Sequence, residues 1–504
     1  MTKKLLFVSI YPKGTACDYL TAPFVLRNFA KKNSMVAENI DFKILNFPSG
    51  DAEKYIDKVN AEKADYVCFS CYIWNIDDVI FIAKNLENKD GVCIFGGAEV
   101  SDEKISRFDT ILNKKIFLIG EGESIFTEAL LDLLNNKINT TNSVFEYNGS
   151  SSELGNIPVL YDEDFPKELI RFKEVSLETQ RGCTFDCDYC WYNKGSSKIR
   201  YLDLKDVFSQ LDFILENQPR ELRFTDPVFF SDKERGKAIL RYILDKNLDE
   251  YPLLFIENDI NHLTSDILDL FSGFKDAPKI NNYAELEPKD SPQYFTQAID
   301  GYNLISTVGV QSFNKQALAS VNRVYTSVER FCEFMKRVRA KNILLKIDMI
   351  FGFPFETTET FKSGMNTVIN EIYQTDCFLE IHNLLVIPNT KLFKRAELLG
   401  LKYDNTNSVV ETKDISAEEF YHGKLLCALV YRVINSPLRN IFIESCREQN
   451  ISYMQKFENM LSEIQLPKGM QDFGFTDFYW QKQIFFDIKS FDLLKLIQES
   501  QGQK

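Results

Sequence analysis

Arg181-Gly182-Cys183-Thr184-Phe185-Asp186-Cys187-Asp188-Tyr189-Cys190-Trp191 sets three thiols in a C-x3-C-x2-C spacing. The stretch directly follows an apolar run, Val175–Thr179, that reads as a strand. Cysteine thiolates are the usual ligands of iron–sulfur clusters. Three of them this close together can wrap one cluster and leave one iron open to an outside ligand. Two other readings stand beside this one. A structural zinc knot needs a fourth Cys or His, and none lies between Cys190 and His262. A set of buried free thiols needs no metal at all.

On either side of the cysteines the apolar pattern is that of α/β units. Downstream, strand candidates fall at Val175–Thr179, Glu221–Phe224, Leu253–Ile256, Leu304–Val310, Leu344–Phe351 and Phe378–Ile387, with a weaker one near Tyr283–Leu286. Helical stretches separate several of them. One carries Val207, Phe208, Leu211, Ile214 and Leu215, and another opens at Thr326-x-x-Glu329. Successive βα units of this kind imply a parallel barrel, here a partial (β/α)6 one. Upstream, Leu5–Ile10, Phe42–Leu45, Tyr66–Ser70, Val92–Phe95 and Ile116–Ile119 alternate with helical patterns, as a doubly wound sheet requires. The last two run into Gly96-Gly97 and Gly120-Glu121-Gly122-Glu123. Turns at the carboxyl ends of strands are where open α/β sheets bind ligands. From 139 to 166 the chain turns polar and turn-rich, then acidic, and reads as a linker. Beyond Leu401 helical periodicity takes over, clearest over Tyr421–Ile434, with aromatics at Phe478, Tyr479, Trp480, Phe485 and Phe486. The division expected is 1–138, 139–166, 167–400 and 401–504.

Composition narrows the classes. The 504 residues are 44% hydrophobic and 26% charged, as in ordinary globular proteins. Lys plus Arg number 59 against 73 Asp plus Glu, a net charge of −14 that provides no overall attraction for nucleic acid or an anionic membrane. No apolar run is long enough to span a bilayer, and the opening MTKKLLFVSIYPKG meets Tyr11, Pro12 and Lys13 too soon to read as a signal peptide. Eleven cysteines spread over the chain suit reduced thiols or metal ligands, and a cytoplasmic location is expected.

The cysteine spacing, the glycine before it and the aromatic before the third thiol resemble the radical S-adenosylmethionine (SAM) superfamily. That resemblance implies a [4Fe-4S] cluster held by Cys183, Cys187 and Cys190, its open iron chelated by SAM, and Tyr189 beside the adenine. Later segments match the family in order. Phe224-Thr225-Asp226-Pro227 follows strand two, where the family contacts the SAM amino group. Phe255-Ile256-Glu257-Asn258 ends strand three. Gly309-Val310-Gln311-Ser312-Phe313 looks like the element that ends strand five, and Phe351-Gly352-Phe353-Pro354-Phe355-Glu356-Thr357 like the turn after strand six. The SAM contacts implied are therefore Tyr189, Thr225, Asp226, Glu257, Gln311 and Phe353.

The first 138 residues resemble the cobalamin-binding domain of one subgroup of that family, on Phe69-Ser70-Cys71-Tyr72-Ile73-Trp74-Asn75, Gly96-Gly97-Ala98-Glu99 and Gly120-Glu121-Gly122-Glu123. The resemblance implies cobalamin contacts at Ser70, Tyr72, Gly96, Gly97, Glu121 and Gly122. An axial histidine is absent, since the three histidines are His262, His382 and His422. The function implied is a cobalamin-dependent radical SAM methyltransferase acting on an unactivated carbon of a peptide or small intermediate. Its electrons would come from an external donor such as flavodoxin or ferredoxin. The alternatives are a radical reaction without methyl transfer, such as ring contraction, epimerisation, cyclisation or oxidation, and a non-catalytic sensor or scaffold. A tRNA methylthiotransferase is disfavoured by the acidic charge and by the lack of an N-terminal three-cysteine cluster. Of the other eight cysteines, Cys68, Cys71 and Cys93 fall in or beside strand candidates, and Cys17, Cys332, Cys377, Cys427 and Cys446 show no ligand spacing with one another.

Overall fold

The computed structural model describes residues 2–13, 17–101, 105–138, 144–149 as backbone, 159–192, 199–275, 302–464, and residues 493, 495 and 497. The chain divides into two compact units, Met1–Gln180 with Arg200–Arg223, and Arg181–Ile199 with Phe224–Lys504.

In the first unit β1 (Lys3–Tyr11), β2 (Ile40–Pro48), β3 (Tyr66–Ser70), β4 (Val92–Gly96), β5 (Lys114–Gly120) and β6 (Val144–Gly149) form a parallel sheet in the order β2-β1-β3-β4-β5-β6. Period-two alternation divides its side chains between two cores. Leu6, Val8, Phe69, Phe95 and Phe117 pack on one face with Ile76, Val79 and Ile82 of the helix Ile76–Lys84. Leu5, Phe7, Cys68, Ile94 and Leu118 pack on the other with Ile125, Phe126 and Leu130 of the helix Gly122–Leu134. With both faces covered, such strands read as continuous apolar runs, which is why all five expected strands were visible in the sequence. The sixth, Val144–Gly149, lies inside the stretch whose polar composition reads as a linker. From β1 the chain goes first to β2 on one side and then to β3 on the other, and the carboxyl ends at that switch form the natural ligand crevice of such a sheet.

The same unit holds β7 (Glu174–Leu177) beside β8 (Glu221–Phe224). Tyr161 fastens the chain before β7, sharing a 2.8 Å hydrogen bond with the Tyr19 hydroxyl and donating to the Ser176 carbonyl at 2.5 Å.

In the second unit β9 (Leu253–Asn258), β10 (Leu304–Gln311), β11 (Leu345–Phe351) and β12 (Phe378–Asn383) run parallel and pair in that order. Because β9 pairs directly with β10, the GVQ element closes the fourth strand of the series and the GFP turn follows the fifth, one place earlier than the sequence count. The weak candidate Tyr283–Leu286 lies outside the described residues. The helix expected to open at Thr326 begins at Val328, because the Ser327 hydroxyl takes the cap and accepts from the Arg330 N–H.

After β12 come the helix Lys391–Leu399, a short hairpin of β13 (Lys402–Tyr403) and β14 (Val409–Glu411), and the helices Ala417–Ile434, Arg439–Glu448 and Tyr453–Glu463. Ser416 and Glu419 form a capping box at the start of Ala417–Ile434. The aromatics from Phe478 to Phe486 lie outside the described residues. Among the described residues no helix is long and apolar enough to cross a membrane.

Candidate functional site

The three thiols sit on one irregular loop of the second unit, entered through Gly182 at φ +90°, a conformation open to glycine. Backbone bonds fix the loop's shape. The Cys190 N–H donates to the Cys187 carbonyl at 3.0 Å, and the Asp188 N–H to the Val321 carbonyl at 2.9 Å. The Asn322 amide donates to the Asp186 carbonyl at 2.8 Å. Ion pairs of Asp186 with Lys391 and of Asp188 with Arg395 hold the loop to the helix after β12.

Each sulfur has a donor aimed at it. The Phe185 N–H points at Cys183 Sγ and the Tyr192 N–H at Cys190 Sγ, both at 3.4 Å, and Arg323 Nη1 lies 3.9 Å from Cys187 Sγ. This donor set fits iron-bound thiolates, whose negative charge such bonds stabilise. Among the described residues no three His, Cys, Asp or Glu side chains converge where a single metal ion could sit, so a zinc knot lacks its site. An iron–sulfur cluster needs no such convergence, because each cysteine binds a different iron. Burial pushes the free Cys183 thiol up to about 11 and raises Cys190 as well, so iron must displace protons on binding.

Arg323 is the residue the sequence did not reveal. Its guanidinium is buried, pairs with Asp259 at 3.0 Å, donates to the Gly309 carbonyl at 2.7 Å and stacks over Phe185 with 4.6 Å to the ring centre. No spacing rule connects it to Cys187, which is 136 positions away. A fixed positive charge beside a cluster ligand favours the reduced cluster. Arg323→Gln is therefore expected to move the cluster's reduction potential to more negative values, read by a redox titration followed by electron paramagnetic resonance. An unchanged potential would show that the guanidinium only holds the fold.

The strand-end motifs meet around this loop. Phe353 is fully buried, with its ring 5.5 Å from that of Tyr189. The Tyr192 hydroxyl donates to the Thr225 carbonyl at 3.0 Å, which leaves Thr225 adjoining the loop through its backbone, and Asp226 beside it is buried. Glu257 lies on β9 opposite Thr307 of β10. Gln311 has φ +70°, and the ladder slips between Gly309 and Gln311. That slip lays the Gln311 amide over Gly309, where a Cβ would stand 2.4 Å from Nε2. Its buried Oε1 has no hydrogen-bond partner, the state of an acceptor awaiting a ligand. The Ser312 hydroxyl donates to Glu356, which burial pushes up to about 8 and whose second oxygen is also unpartnered. Asn314 donates to the Phe355 carbonyl at 2.8 Å, joining the two turns.

Gly309→Ala tests the Gln311 placement. The new methyl meets the end of a flexible side chain rather than backbone, so the fold should persist while the amide is displaced. SAM binding should weaken about tenfold, the worth of one hydrogen bond at roughly 1.4 kcal/mol, with an unchanged urea midpoint, both measured on one preparation.

In the first unit the six positions implied for cobalamin all lie at or just beyond the carboxyl ends of the strands. Ser70 and Gly96 are register partners. Gly97, at φ +107°, approaches the Cys71 backbone so closely that a Cβ would stand 2.6 Å from its carbonyl oxygen. Gly122 packs against Leu26, and Glu121 pairs with Arg200, Nη1 to Oε2 at 3.0 Å. Five of the six thus have structural partners already. Tyr72 stacks on Trp74 with ring centres 4.5 Å apart, and Trp74 and Ile73 are 43% and 55% exposed. Exposed apolar surface at the ligand end of the sheet fits a bulky, largely apolar group. Asn75 ties the strand ends together, donating to the carbonyls of Ile10 and Ser70 at 2.9 Å each.

The Radical SAM superfamily model matches residues 177–367, which contain the cysteine loop and both later turns. The cobalamin-dependent radical SAM methyltransferase TokK of Streptomyces tokunonensis is 21% identical over 90% of this chain, and 2-(S-pantetheinyl)-carbapenam-3-carboxylate methyltransferase of Streptantibioticus cattleyicolor is 20% identical over 75% of it. This chain spans 68% and 54% of their lengths. The fold resembles that of the radical S-adenosylmethionine methyltransferase TsrM from Kitasatospora setae, with a TM-score of 0.60 at 15% identity over 82% of this chain and 80% of that one. Residues 177–367 thus match the Radical SAM superfamily model, and two relatives that the chain matches over most of its length are methyltransferases.

Proposed function

We propose that the protein is a cobalamin-dependent radical SAM methyltransferase acting on an unactivated carbon of a small biosynthetic intermediate or a peptide. The observation that carries the reading is the cysteine loop, whose three sulfurs each face a donor and which Arg323 joins to the Gln311 turn through the Gly309 carbonyl. In this reading Cys183, Cys187 and Cys190 hold the [4Fe-4S] cluster, and Tyr189, Thr225, Asp226, Glu257, Gln311 and Phe353 hold SAM. Ser70, Tyr72, Gly96, Gly97, Glu121 and Gly122 surround cobalamin. Bound, the cluster supplies the electron that cleaves the sulfonium, SAM supplies the 5′-deoxyadenosyl radical, and cobalamin carries the methyl group.

The chain's own residues bind, orient and exclude water. The Phe353 and Tyr189 rings close one side of the loop, Gln311 offers its free oxygen, and the Ser312–Glu356 bond fixes both turns. Glu356 retains its proton at neutral pH because burial disfavours its charged form, so the Ser312 hydroxyl meets no net charge. All eleven cysteines are free thiols, in keeping with a reducing cytoplasm and a flavodoxin or ferredoxin as electron donor. We read the domains as 1–138, 139–166, 167–400 and 401–504, with Val144–Gly149 of the second stretch completing the sheet of the first.

The test is anaerobic turnover with methyl-labelled SAM, a reductant and carbapenam or tryptophan acceptors. Methyl transfer predicts 5′-deoxyadenosine together with a labelled product. Deoxyadenosine without label in any product would overturn methylation and favour a radical rearrangement.

A further inference from the structure

No spacing in the sequence singles out Asp259, yet the fold buries it directly after β9 and gives its two oxygens separate partners. Oδ1 caps the short turn Ile260–His262, accepting from the Asn261 N–H at 2.8 Å and from the Asn261 side-chain amide at 2.5 Å. Oδ2 accepts from Arg323 Nη2 at 3.0 Å. A carboxylate this deep is stable only beside donors and a cation, and here it has both.

Arg323 is held by more than this pair. Nη2 also donates to the Gly309 carbonyl at 2.7 Å, Nη1 lies 3.9 Å from Cys187 Sγ, and the guanidinium stands over the Phe185 ring, 4.6 Å from its centre. His262 in turn meets the Phe185 ring edge-on, with ring centres 5.9 Å apart. With Asp259 made neutral, these contacts remain, and an arginine keeps its proton in protein surroundings. What Asp259 contributes beyond them is a negative charge one guanidinium away from a cluster ligand. The cation favours the reduced cluster, and the anion beside it opposes that field.

We propose that Asp259 is the counter-charge that tunes electron uptake, holding the cluster's reduction potential below the value Arg323 alone would set, a proposal that rests on Cys183, Cys187 and Cys190 carrying the cluster. The rival role is mechanical. If Asp259 were needed to hold Arg323 against Cys187, neutralising it would release the guanidinium and the potential would fall, as expected for Arg323→Gln. If Asp259 is the counter-charge, the potential rises. The two roles differ in sign.

The experiment is an anaerobic redox titration of the reconstituted protein with dithionite, followed by electron paramagnetic resonance. It compares the wild type, Asp259→Asn, Arg323→Gln and the double variant, with iron content and the urea midpoint measured on the same preparations. Asp259→Asn keeps the shape of the side chain and removes its charge. At the wild-type midpoint potential, its ratio of reduced to oxidised cluster should be about three or more, where the wild type has equal amounts. The double variant should lie above Arg323→Gln. Because it removes both charges together, it decides the sign even where Asp259→Asn alone loads no iron. A potential that falls or stays unchanged in Asp259→Asn, or a double variant no higher than Arg323→Gln, would overturn the proposal. Loss of iron from both proteins carrying Asp259→Asn would give the residue to the fold and overturn it too. A wild type that takes up no iron would overturn the radical SAM reading instead.

Discussion

Cys187→Ala is expected to yield a folded protein without its cluster. Cys187 is the most buried of the three thiols and the one nearest the Arg323 guanidinium. Removing its sulfur leaves one iron of the cluster without a protein ligand, while Arg323 keeps its pair with Asp259. Iron after reconstitution should fall from about four per chain to a small fraction of that. Reductive cleavage of SAM should drop by at least about a thousandfold, which corresponds to roughly 4 kcal/mol of lost transition-state stabilisation. The side chain is small and the loop is held by the Asp188 N–H to Val321 carbonyl bond and the Asp186 and Asp188 ion pairs, so unfolding in urea should change by less than about 1 kcal/mol. Iron retained at the wild-type level would remove Cys187 from the ligand set.

Gly97→Ala should be the most damaging single methyl in the first unit. At φ +107° an L side chain is strained in any surroundings. Here the new Cβ would also stand 2.6 Å from the Cys71 carbonyl oxygen and 2.9 Å from its nitrogen, and backbone held by the Cys71 N–H to Gly96 carbonyl bond cannot easily retreat. Backbone strain and overpacking together should cost roughly 3 kcal/mol or more, measured by urea denaturation. Gly96→Ala is the contrast. Its Cβ would meet only Leu118, at an ordinary 3.6 Å, so stability should change by less than about 1 kcal/mol. Equal losses from the two variants would mean that the Cys71 contact is not what demands glycine.

The contrast also explains what the sequence could reveal. The Gly96-Gly97 pair was legible as a turn at the carboxyl end of a strand, yet only the fold shows that Gly97 answers to the Cys71 backbone. The first-unit strands were legible because sheets covered on both faces write continuous apolar runs, as in Leu5–Ile10. Val144–Gly149 was concealed because it lies among polar and turn-forming residues. The cysteine motif was legible because all three thiols fall on one short loop. Arg323 could not be found in that way, since its tie to Cys187 is made by folding across 136 positions. The ion pairs between β11 and β12 were hidden for a related reason. Lys346 and Asp348 stand on one strand and Glu380 and His382 on the next, and only the register of Asp348 with Glu380 assembles them.

The most direct test of the account is anaerobic reconstitution with iron, sulfide and cobalamin, followed by the visible spectrum and metal analysis. It should be run on the wild type beside the Cys183→Ala, Cys187→Ala, Cys190→Ala triple variant. The account predicts about four irons and about one cobalt per wild-type chain, with iron alone lost in the variant. Iron bound equally by both proteins, or no cluster in the wild type, would contradict it.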